Sequence, residues 1–121
     1  RDWGHAKDYV EAMWKMLQQK KPEDFVIATG KQYSIKEFIN KVAKKLSMKI
    51  KWKGKGINEK CIELKNNKII IECDKNYFRP LDVNTLLGNA KKARSKLNWK
   101  PKFNITDLID DMVEHELKII N

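Results

Sequence analysis

The chain has 121 residues, of which 41% are hydrophobic and 35% are charged. This length and composition suffice for one globular domain with one core, so we expect a single domain over residues 1–121. The sequence has no run of 18 apolar residues and no signal-peptide pattern, so we expect no membrane span, no membrane partner and a soluble, cytoplasmic protein.

The net charge of +10 comes from 26 Lys and Arg against 16 Asp and Glu. Such a charge is typical of proteins that bind polyanions, and also of a charged surface that keeps a chain soluble. Most of the excess is lysine spread along the chain, as at Lys20-Lys21, Lys44-Lys45 and Lys91-Lys92. Proteins that read nucleic-acid sequence concentrate arginine or interleave aromatics with it. We therefore interpret the excess as a solvated surface and expect no nucleic-acid partner.

The two cysteines, Cys61 and Cys73, are too far apart for a CxxC redox pair, and no histidine lies near them in the sequence. A structural zinc site needs several such ligands at short spacing. We therefore predict free thiols in or beside strands, and no metal site.

The first predicted helix follows directly from the segment Arg1–Val10. Its apolar residues recur at helical spacing, which predicts one buried stripe and an end near Gln18-Gln19. The residues of that stripe are Ala6, Tyr9, Val10, Met13, Trp14 and Leu17. Ahead of the helix, Arg1 carries a fork of donors suited to phosphate, and Asp2 lies near the positive end of the helix dipole. A loop arginine followed by a helix cap would give the same pattern.

A buried strand and a second helix are predicted next. The apolar run Phe25–Ala28, followed by Thr29-Gly30, fits a central strand that is covered on both faces. Ser34 and Glu37 have the spacing of a capping box, which predicts a helix from Ser34 to about Lys45 or Leu46. The strand, the glycine turn and the helix would form one α/β unit.

The pattern of residues in the middle of the chain predicts three strands. Residues Lys49–Lys53 alternate polar and apolar side chains, so Ile50 and Trp52 should face inward. The loop Gly54–Gly56 resembles a phosphate loop only weakly, because the Walker spacing is absent. A turn at residues 65–68 then joins a strand near residues 61–64 to a strand at 69–71.

The last third of the chain holds an unusual arginine and two further helices. Arg79 stands beside two aromatics and a proline, which limit its backbone freedom and should hold it in place. A short helix carries Ala90, Ala93 and Leu97. The final helix, from about Thr106, should present acids outward and place His115 on the surface rather than in catalysis. Its predicted buried residues are Leu108, Ile109, Met112, Val113 and Leu117.

Five stretches, in this order, closely resemble the C-terminal part of the GDP-mannose 4,6-dehydratase family of extended short-chain dehydrogenases/reductases. They are Arg1–Val10, Phe25–Gly30, Gly54–Gly56, Tyr77–Pro80 and Leu97–Pro101. The resemblance spans nearly the whole chain and implies a small mixed α/β domain that binds a sugar nucleotide and lacks its Rossmann half. It also implies an NADP-dependent lyase, homo-oligomeric when intact, that converts GDP-D-mannose to GDP-4-dehydro-6-deoxy-D-mannose, a precursor of GDP-fucose.

The chain lacks the motifs that hold the dinucleotide and move the hydride and protons in the resembled family. It has no G-x-x-G-x-x-G turn and no Tyr-x-x-x-Lys pair. Its three tyrosines, Tyr9, Tyr33 and Tyr77, are followed at the fourth position by Met13, Glu37 and Leu81. We therefore expect no catalytic residue and no bound NADP on this chain, with both supplied by a Rossmann domain of the intact enzyme.

The resemblance also implies which residues bind substrate. Arg1 and Arg79 occupy the positions of two family arginines that approach the substrate diphosphate, and paired guanidiniums bind a pyrophosphate through charge-assisted hydrogen bonds. Asp82 stands where the family usually has a glutamate at the nucleotide end of the pocket, and Asn84 where an aspartate is expected. Two alternatives are the substrate domain of another nucleotide-sugar dehydratase or epimerase, and a basic nucleic-acid-binding module.

Overall fold

The structure, a computed structural model, describes residues 1–79 and 83–120. The described residues form two compact units: Arg1–Glu37 with Thr85–Asn121 (unit 1), and Phe38–Asn84 (unit 2). The prediction of one domain over residues 1–121 stays a prediction. The helices are α1 (Ala6–Leu17), α2 (Ile35–Lys45), α3 (Lys91–Lys96) and α4 (Ile105–Ile120), and the strands are β1 (Ile50–Lys53), β2 (Lys60–Glu63) and β3 (Lys68–Glu72). This composition confirms the predicted mixed α/β class.

Helix α1 has the predicted extent, but the prediction of its buried side is wrong. Asp8 and Ala12 are buried, whereas the apolar residues on another side of the helix are 59% to 81% exposed. This exposed stripe, called the α1 stripe, consists of Val10, Met13, Trp14 and Leu17. Apolar spacing identifies a stripe on a helix, but the tertiary contacts of the chain decide which side is covered.

The core of unit 1 is built from small residues around one large aromatic. Its buried members are Ala12, Ala28, Ala90, Ala93, Leu97 and Trp99, and Met16, Phe25 and Ile27 pack against them. Alanines at the contacts let backbone segments approach closely, and Trp99, only 1% exposed, fills the remaining space. The short helix predicted around Ala90, Ala93 and Leu97 is confirmed as α3, and all three residues are buried.

The prediction of a central strand at Phe25–Ala28 is wrong. The segment is irregular, with Ala28 buried and Val26 about half exposed. It lies close to Gly88, where a Cβ atom would come 2.4 Å from the Cβ of Ala28. The apolar run is therefore used for packing against the core of unit 1, while all strands within the described ranges belong to unit 2.

Unit 2 carries an antiparallel sheet with strand order β1-β2-β3. Its hairpins confirm the strands and the turn predicted between residues 49 and 71, with Trp52 opposite Cys61 and Cys61 opposite Ile71. Both cysteines are free thiols, as predicted. The indole Nε1 of Trp52 donates a hydrogen bond of 2.8 Å to Asn40 Oδ1, which ties the sheet to α2.

The starts of α2 and α4 are fixed by capping boxes. The Ser34 N–H donates to Glu37 Oε2 at 2.6 Å and the Glu37 N–H donates to Ser34 Oγ at 3.1 Å, as predicted. In the same way, the Asn104 N–H donates to Asp107 Oδ2 and the Asp107 N–H donates to Asn104 Oδ1. Both reciprocal pairs satisfy N–H groups that a helix leaves without an internal partner.

Helix α4 buries a narrower face than predicted. Ile109 and Val113 are buried, as expected, but Met112 and Leu117 are largely exposed, so the prediction for these two is wrong. His115 is exposed, as predicted. None of the helices in the described part of the chain has the length and apolar character that crossing a membrane requires.

Candidate functional site

Asp2 fixes the turn that follows the apolar run of unit 1. Its carboxylate accepts hydrogen bonds from the Thr29 N–H at 3.1 Å, the Thr29 hydroxyl at 2.6 Å and the Gly30 N–H at 2.9 Å. Gly30 has a φ of +79°, a conformation that glycine adopts without strain. Because carboxylate acceptors form strong hydrogen bonds, Asp2 holds the chain on both sides of this turn in place.

His5 joins the start of α1 to α4. Its Nδ1 accepts a hydrogen bond from the Lys7 N–H, so the ring proton lies on Nε2, which donates to Asp111 Oδ2 at 3.1 Å. The ring is buried and stacks on Phe103 with ring centroids 4.4 Å apart. Lys7 and the hydrogen bond from His5 hold the pKa of Asp111 below its usual range. His5 therefore has a structural role.

Asp8 is a buried acid that organises the segment before α4. Its carboxylate accepts hydrogen bonds of 3.1 Å from the N–H groups of Lys102 and Phe103, and its main-chain oxygen accepts one of 2.8 Å from Trp99 Nε1. Only 2% of Asp8 is exposed. The sequence does not reveal this role, because an acid among the polar residues of an amphipathic helix is usually exposed.

The ring of Tyr9 packs against Gly4 in the first segment. A Cβ atom at Gly4 would come 2.1 Å from Cε2 of Tyr9, so the tyrosine ring occupies the space that any larger residue would need. Burial raises the pKa of Tyr9, and the carboxylates of Asp2 and Asp8 raise it further. Burial and the two carboxylates therefore favour the neutral phenol of Tyr9.

Arg1 is the predicted binding residue in unit 1. The residue is exposed, and hydrogen bonds hold its main chain in place. Its N–H group donates to Tyr33 O at 2.7 Å, and the Tyr33 N–H donates to Arg1 O at 3.0 Å. The adjacent Asp2 is fixed by Thr29 and Gly30. The three anchoring residues Asp2, His5 and Asp8 thus determine the backbone around Arg1, which leaves an exposed arginine at a defined position.

Arg79 lies in unit 2 and Arg1 in unit 1, so the two predicted site residues that the structure describes belong to different units. The chain before it turns at Asp74, whose carboxylate accepts a 2.8 Å hydrogen bond from the Asn76 N–H. Tyr77, Phe78 and Arg79 that follow are exposed. The third predicted residue, Asp82, lies outside the described residues.

The glycine loop before β2 has a structural explanation. Gly54 and Gly56 have φ values of +83° and +56°, which favour glycine. At Gly54, a Cβ atom would also come 2.2 Å from the main-chain oxygen of Asn58. The two glycines are therefore required to close a tight turn, and nothing in this turn adds to the weak phosphate-loop pattern around Lys55.

Two of the clefts in the described part of unit 1 do not suit a complete nucleotide sugar. The first, of about 140 Å³, is lined by Trp3, Thr29, Lys31, Tyr33 and residues 101–105, and it is smaller than a typical ligand pocket of roughly 300–1,000 Å³. The second, of about 410 Å³, is lined by His5, Lys7, Lys102 and Phe103 together with Asp107, Asp110, Asp111 and Glu114. The four acids of this cleft outnumber its two lysines and disfavour a diphosphate, so the predicted ligand needs residues beyond these two clefts.

Across residues 1–79 and 83–120, no group of three or more His, Cys, Asp or Glu is arranged to hold a metal ion. The sequence has five glycines, none of them in a G-x-x-G-x-x-G turn. The glycine loop that approaches a dinucleotide pyrophosphate in a Rossmann domain is therefore not part of this sequence.

Comparison with known proteins identifies the family. The family model described as GDP-mannose 4,6 dehydratase matches residues 1–112. The chain belongs to the GDP-mannose 4,6-dehydratase family. It is 48% identical over 120 residues to GDP-mannose 4,6 dehydratase of Dictyostelium discoideum, and 47% identical over 122 residues to that of Homo sapiens, which in each case covers 99% of the chain. The GDP-mannose 4,6-dehydratase of Vibrio cholerae is 46% identical over 129 residues, covering 98% of the chain.

The match confirms the resemblance on which the predicted site residues rest. The chain spans about a third of the length of these relatives: 34% of the Dictyostelium protein, 32% of the human protein and 35% of the Vibrio protein. These three relatives are therefore much longer than this sequence. The assignment of Arg1, Arg79 and Asp82 to substrate binding stays a prediction.

Proposed function

We propose that this chain is the sugar-nucleotide-binding part of a GDP-mannose 4,6-dehydratase. The observation that carries the proposal is the family match over almost the whole chain. The substrate class follows from the name of the relatives, and the reaction would convert GDP-D-mannose to GDP-4-dehydro-6-deoxy-D-mannose. On this proposal, the residues of this chain bind and orient the substrate.

Arg1 and Arg79 are the residues we assign to the substrate diphosphate. A guanidinium offers a rigid fork of donors that matches phosphate oxygens, and two of them bind a pyrophosphate more directionally than lysines do. Supporting this role, Arg1 is exposed on a backbone that Asp2 and Tyr33 hold in place. We assign Asp82 to the nucleotide end of the pocket, where a carboxylate would accept hydrogen bonds from a guanine edge.

The proposal requires a dinucleotide-binding domain as a partner. This chain has no Tyr-x-x-x-Lys pair and no dinucleotide-binding loop, so we assign its residues no step of hydride transfer. The α1 stripe supports the requirement, because four large apolar side chains stand exposed on one helix face. Contiguous exposed apolar surface marks an interaction site, and we assign the stripe to contact with that domain.

The test is a calorimetric titration of the chain with GDP-mannose and, in parallel, with UDP-glucose. The two ligands share a diphosphate but differ in the base and in the configuration of the hexose at C2, so a difference in affinity reports recognition of the base or of the sugar. We expect GDP-mannose to bind more tightly. Equal, weak binding of both would reduce the proposal to a phosphate-binding surface, and tighter binding of UDP-glucose would favour another nucleotide-sugar dehydratase or epimerase.

A second candidate, a nucleic-acid-binding module, is favoured only by the net charge of +10. We expect binding to random DNA to be weak and to disappear between roughly 50 and 200 mM salt, because scattered lysines release counterions without reading bases. Fluorescence anisotropy with labelled DNA at several salt concentrations measures this. A sequence-preferring complex that survives physiological salt would contradict the proposed function.

A further inference from the structure

Arginine is rare in this chain, which takes most of its positive charge from lysine. Of the 26 Lys and Arg residues, only Arg1, Arg79 and Arg94 are arginines. Arg1 and Arg79 are the residues assigned to the substrate diphosphate. Arg94 lies on α3, in the same unit as Arg1, and it is exposed. Because arginine offers a planar fork of donors that lysine lacks, the surroundings of this third guanidinium are informative.

The guanidinium of Arg94 contacts the turn that Asp2 fixes. Arg94 Nη2 donates a hydrogen bond of 3.4 Å to Thr29 O. The N–H of the same residue, Thr29, donates to Asp2 Oδ1 at 3.1 Å. Asp2 directly follows Arg1 in the chain. Arg1 and the guanidinium of Arg94 therefore border the same turn.

Gly30 leaves open space beside the guanidinium. A Cβ atom at Gly30 would come 3.4 Å from Arg94 Nη2. Among the described residues, no other atom beyond the two chain neighbours lies within 4 Å of that point. The φ of +79° also disfavours any other residue at this position. The glycine therefore keeps one side of the guanidinium accessible to a ligand.

The lysines that flank Arg94 on α3 are ion-paired. Glu23 lies 2.7 Å from Lys96 Nζ and 2.9 Å from Lys92 Nζ. The hydrogen bonds from Lys96 and Lys92 hold the pKa of Glu23 below its usual range. In the part of the chain that the structure describes, Arg94 forms no ion pair. Its charge is therefore not neutralised as theirs is.

The acid at this turn also leaves Arg94 its charge. The Asp2 carboxylate accepts three hydrogen bonds from Thr29 and Gly30, and within the described ranges it forms no ion pair with Arg94. A guanidinium has five N–H donors, and the hydrogen bond to Thr29 O uses one of them. The other donors can therefore bind an anion on the open side of Gly30.

We propose that Arg94 is a third arginine for the substrate diphosphate, which it contacts together with Arg1 beside the Thr29-Gly30 turn. This inference rests on the proposed function and adds to it a second guanidinium in the unit that holds Arg1. Two guanidiniums bind the oxygens of both phosphate groups through charge-assisted hydrogen bonds. Arg94 is on this proposal a binding residue.

The test is calorimetric titration of the native chain and of Arg94→Ala with GDP-mannose and with GDP. We expect about tenfold weaker binding of both ligands, because they share the diphosphate. The matched control is Lys91→Ala, which removes one exposed positive charge from the same helix and should weaken binding by less than about twofold. Equal losses for the two variants, or a loss with GDP-mannose alone, would overturn the proposal.

Two further variants separate ligand binding from support of the turn. Arg94→Gln keeps an N–H donor for Thr29 O without the charge, so binding should be as weak as with Arg94→Ala. Arg94→Lys keeps the charge without the fork and should recover part of the affinity. Native affinity in Arg94→Gln would mean that Arg94 only supports the turn, which would overturn the proposal. Thermal melting of each variant shows whether it is folded.

Arg1→Ala distinguishes a failure of this inference from a failure of the proposed function. If Arg1→Ala weakens GDP-mannose binding and Arg94→Ala does not, only the role of Arg94 is overturned. If the native chain does not bind GDP-mannose, the role of Arg94 and the proposed function are both overturned.

Discussion

Replacing Asp8 with alanine is expected to lower the free energy of unfolding by about 3 to 6 kcal/mol, since two charge-assisted hydrogen bonds of about 1.5–3 kcal/mol each are lost. The N–H groups of Lys102 and Phe103 would lose their acceptor in a part-buried place. Chemical denaturation followed by tryptophan fluorescence measures the change, because Trp99 donates to the main chain of Asp8.

The matched control for Asp8→Ala is Asp24→Ala, the same chemical change at an exposed position of unit 1. Substitutions on the surface away from special contacts usually change stability by no more than about 0.5 kcal/mol. Asp8→Asn should fall between the two, because the amide keeps one acceptor oxygen without its charge. Equal losses for Asp8→Ala and Asp24→Ala would contradict the anchoring role of Asp8.

Replacing Arg79 with alanine is expected to weaken GDP-mannose binding about tenfold to hundredfold. A bidentate guanidinium loses charge-assisted hydrogen bonds of about 1.5–3 kcal/mol when it is truncated, and each 1.4 kcal/mol corresponds to about tenfold in affinity. Calorimetric titration of the native and variant chains measures the difference.

The control for Arg79→Ala is Lys55→Ala, which removes one positive charge from the same unit. The glycines beside Lys55 are explained by a tight turn, so its loss should matter less. Arg79→Lys should recover part of the affinity, because it keeps the charge but not the fork of donors. If the losses at positions 79 and 55 were equal, affinity would depend on net charge rather than on Arg79.

Elements with local determinants could be predicted from the sequence. The capping box of Ser34 and Glu37 set the start of α2, and the alternation of Lys49–Lys53 set β1. The prediction of a strand at Phe25–Ala28 failed because the packing of this segment against Gly88 and the alanine core depends on residues far away in the sequence. The prediction of which side of α1 is buried failed for the same reason.

The residues of the candidate site could also be predicted only in part from the sequence. Arg1 and Arg79 were selected through resemblance to a family, and the family itself is confirmed. The roles of Asp2, His5 and Asp8 were missed, because their partners at Thr29, Asp111 and residues 102–103 are 27 to 106 residues away. Spacing along one segment does not reveal such partners. The anchoring role of Asp8 is visible only in the structure, where its carboxylate is buried and accepts hydrogen bonds from residues 102–103.

A chimaera tests the central claim, that this chain is the substrate-binding part of a GDP-mannose 4,6-dehydratase. This chain would replace the matching third of the Dictyostelium protein, to which it is 48% identical, and dehydration of GDP-mannose would be measured. We expect the chimaera to dehydrate GDP-mannose and its Arg79→Ala form to need a much higher substrate concentration. A chimaera that folds and melts like the Dictyostelium protein but neither binds nor dehydrates GDP-mannose would contradict the account.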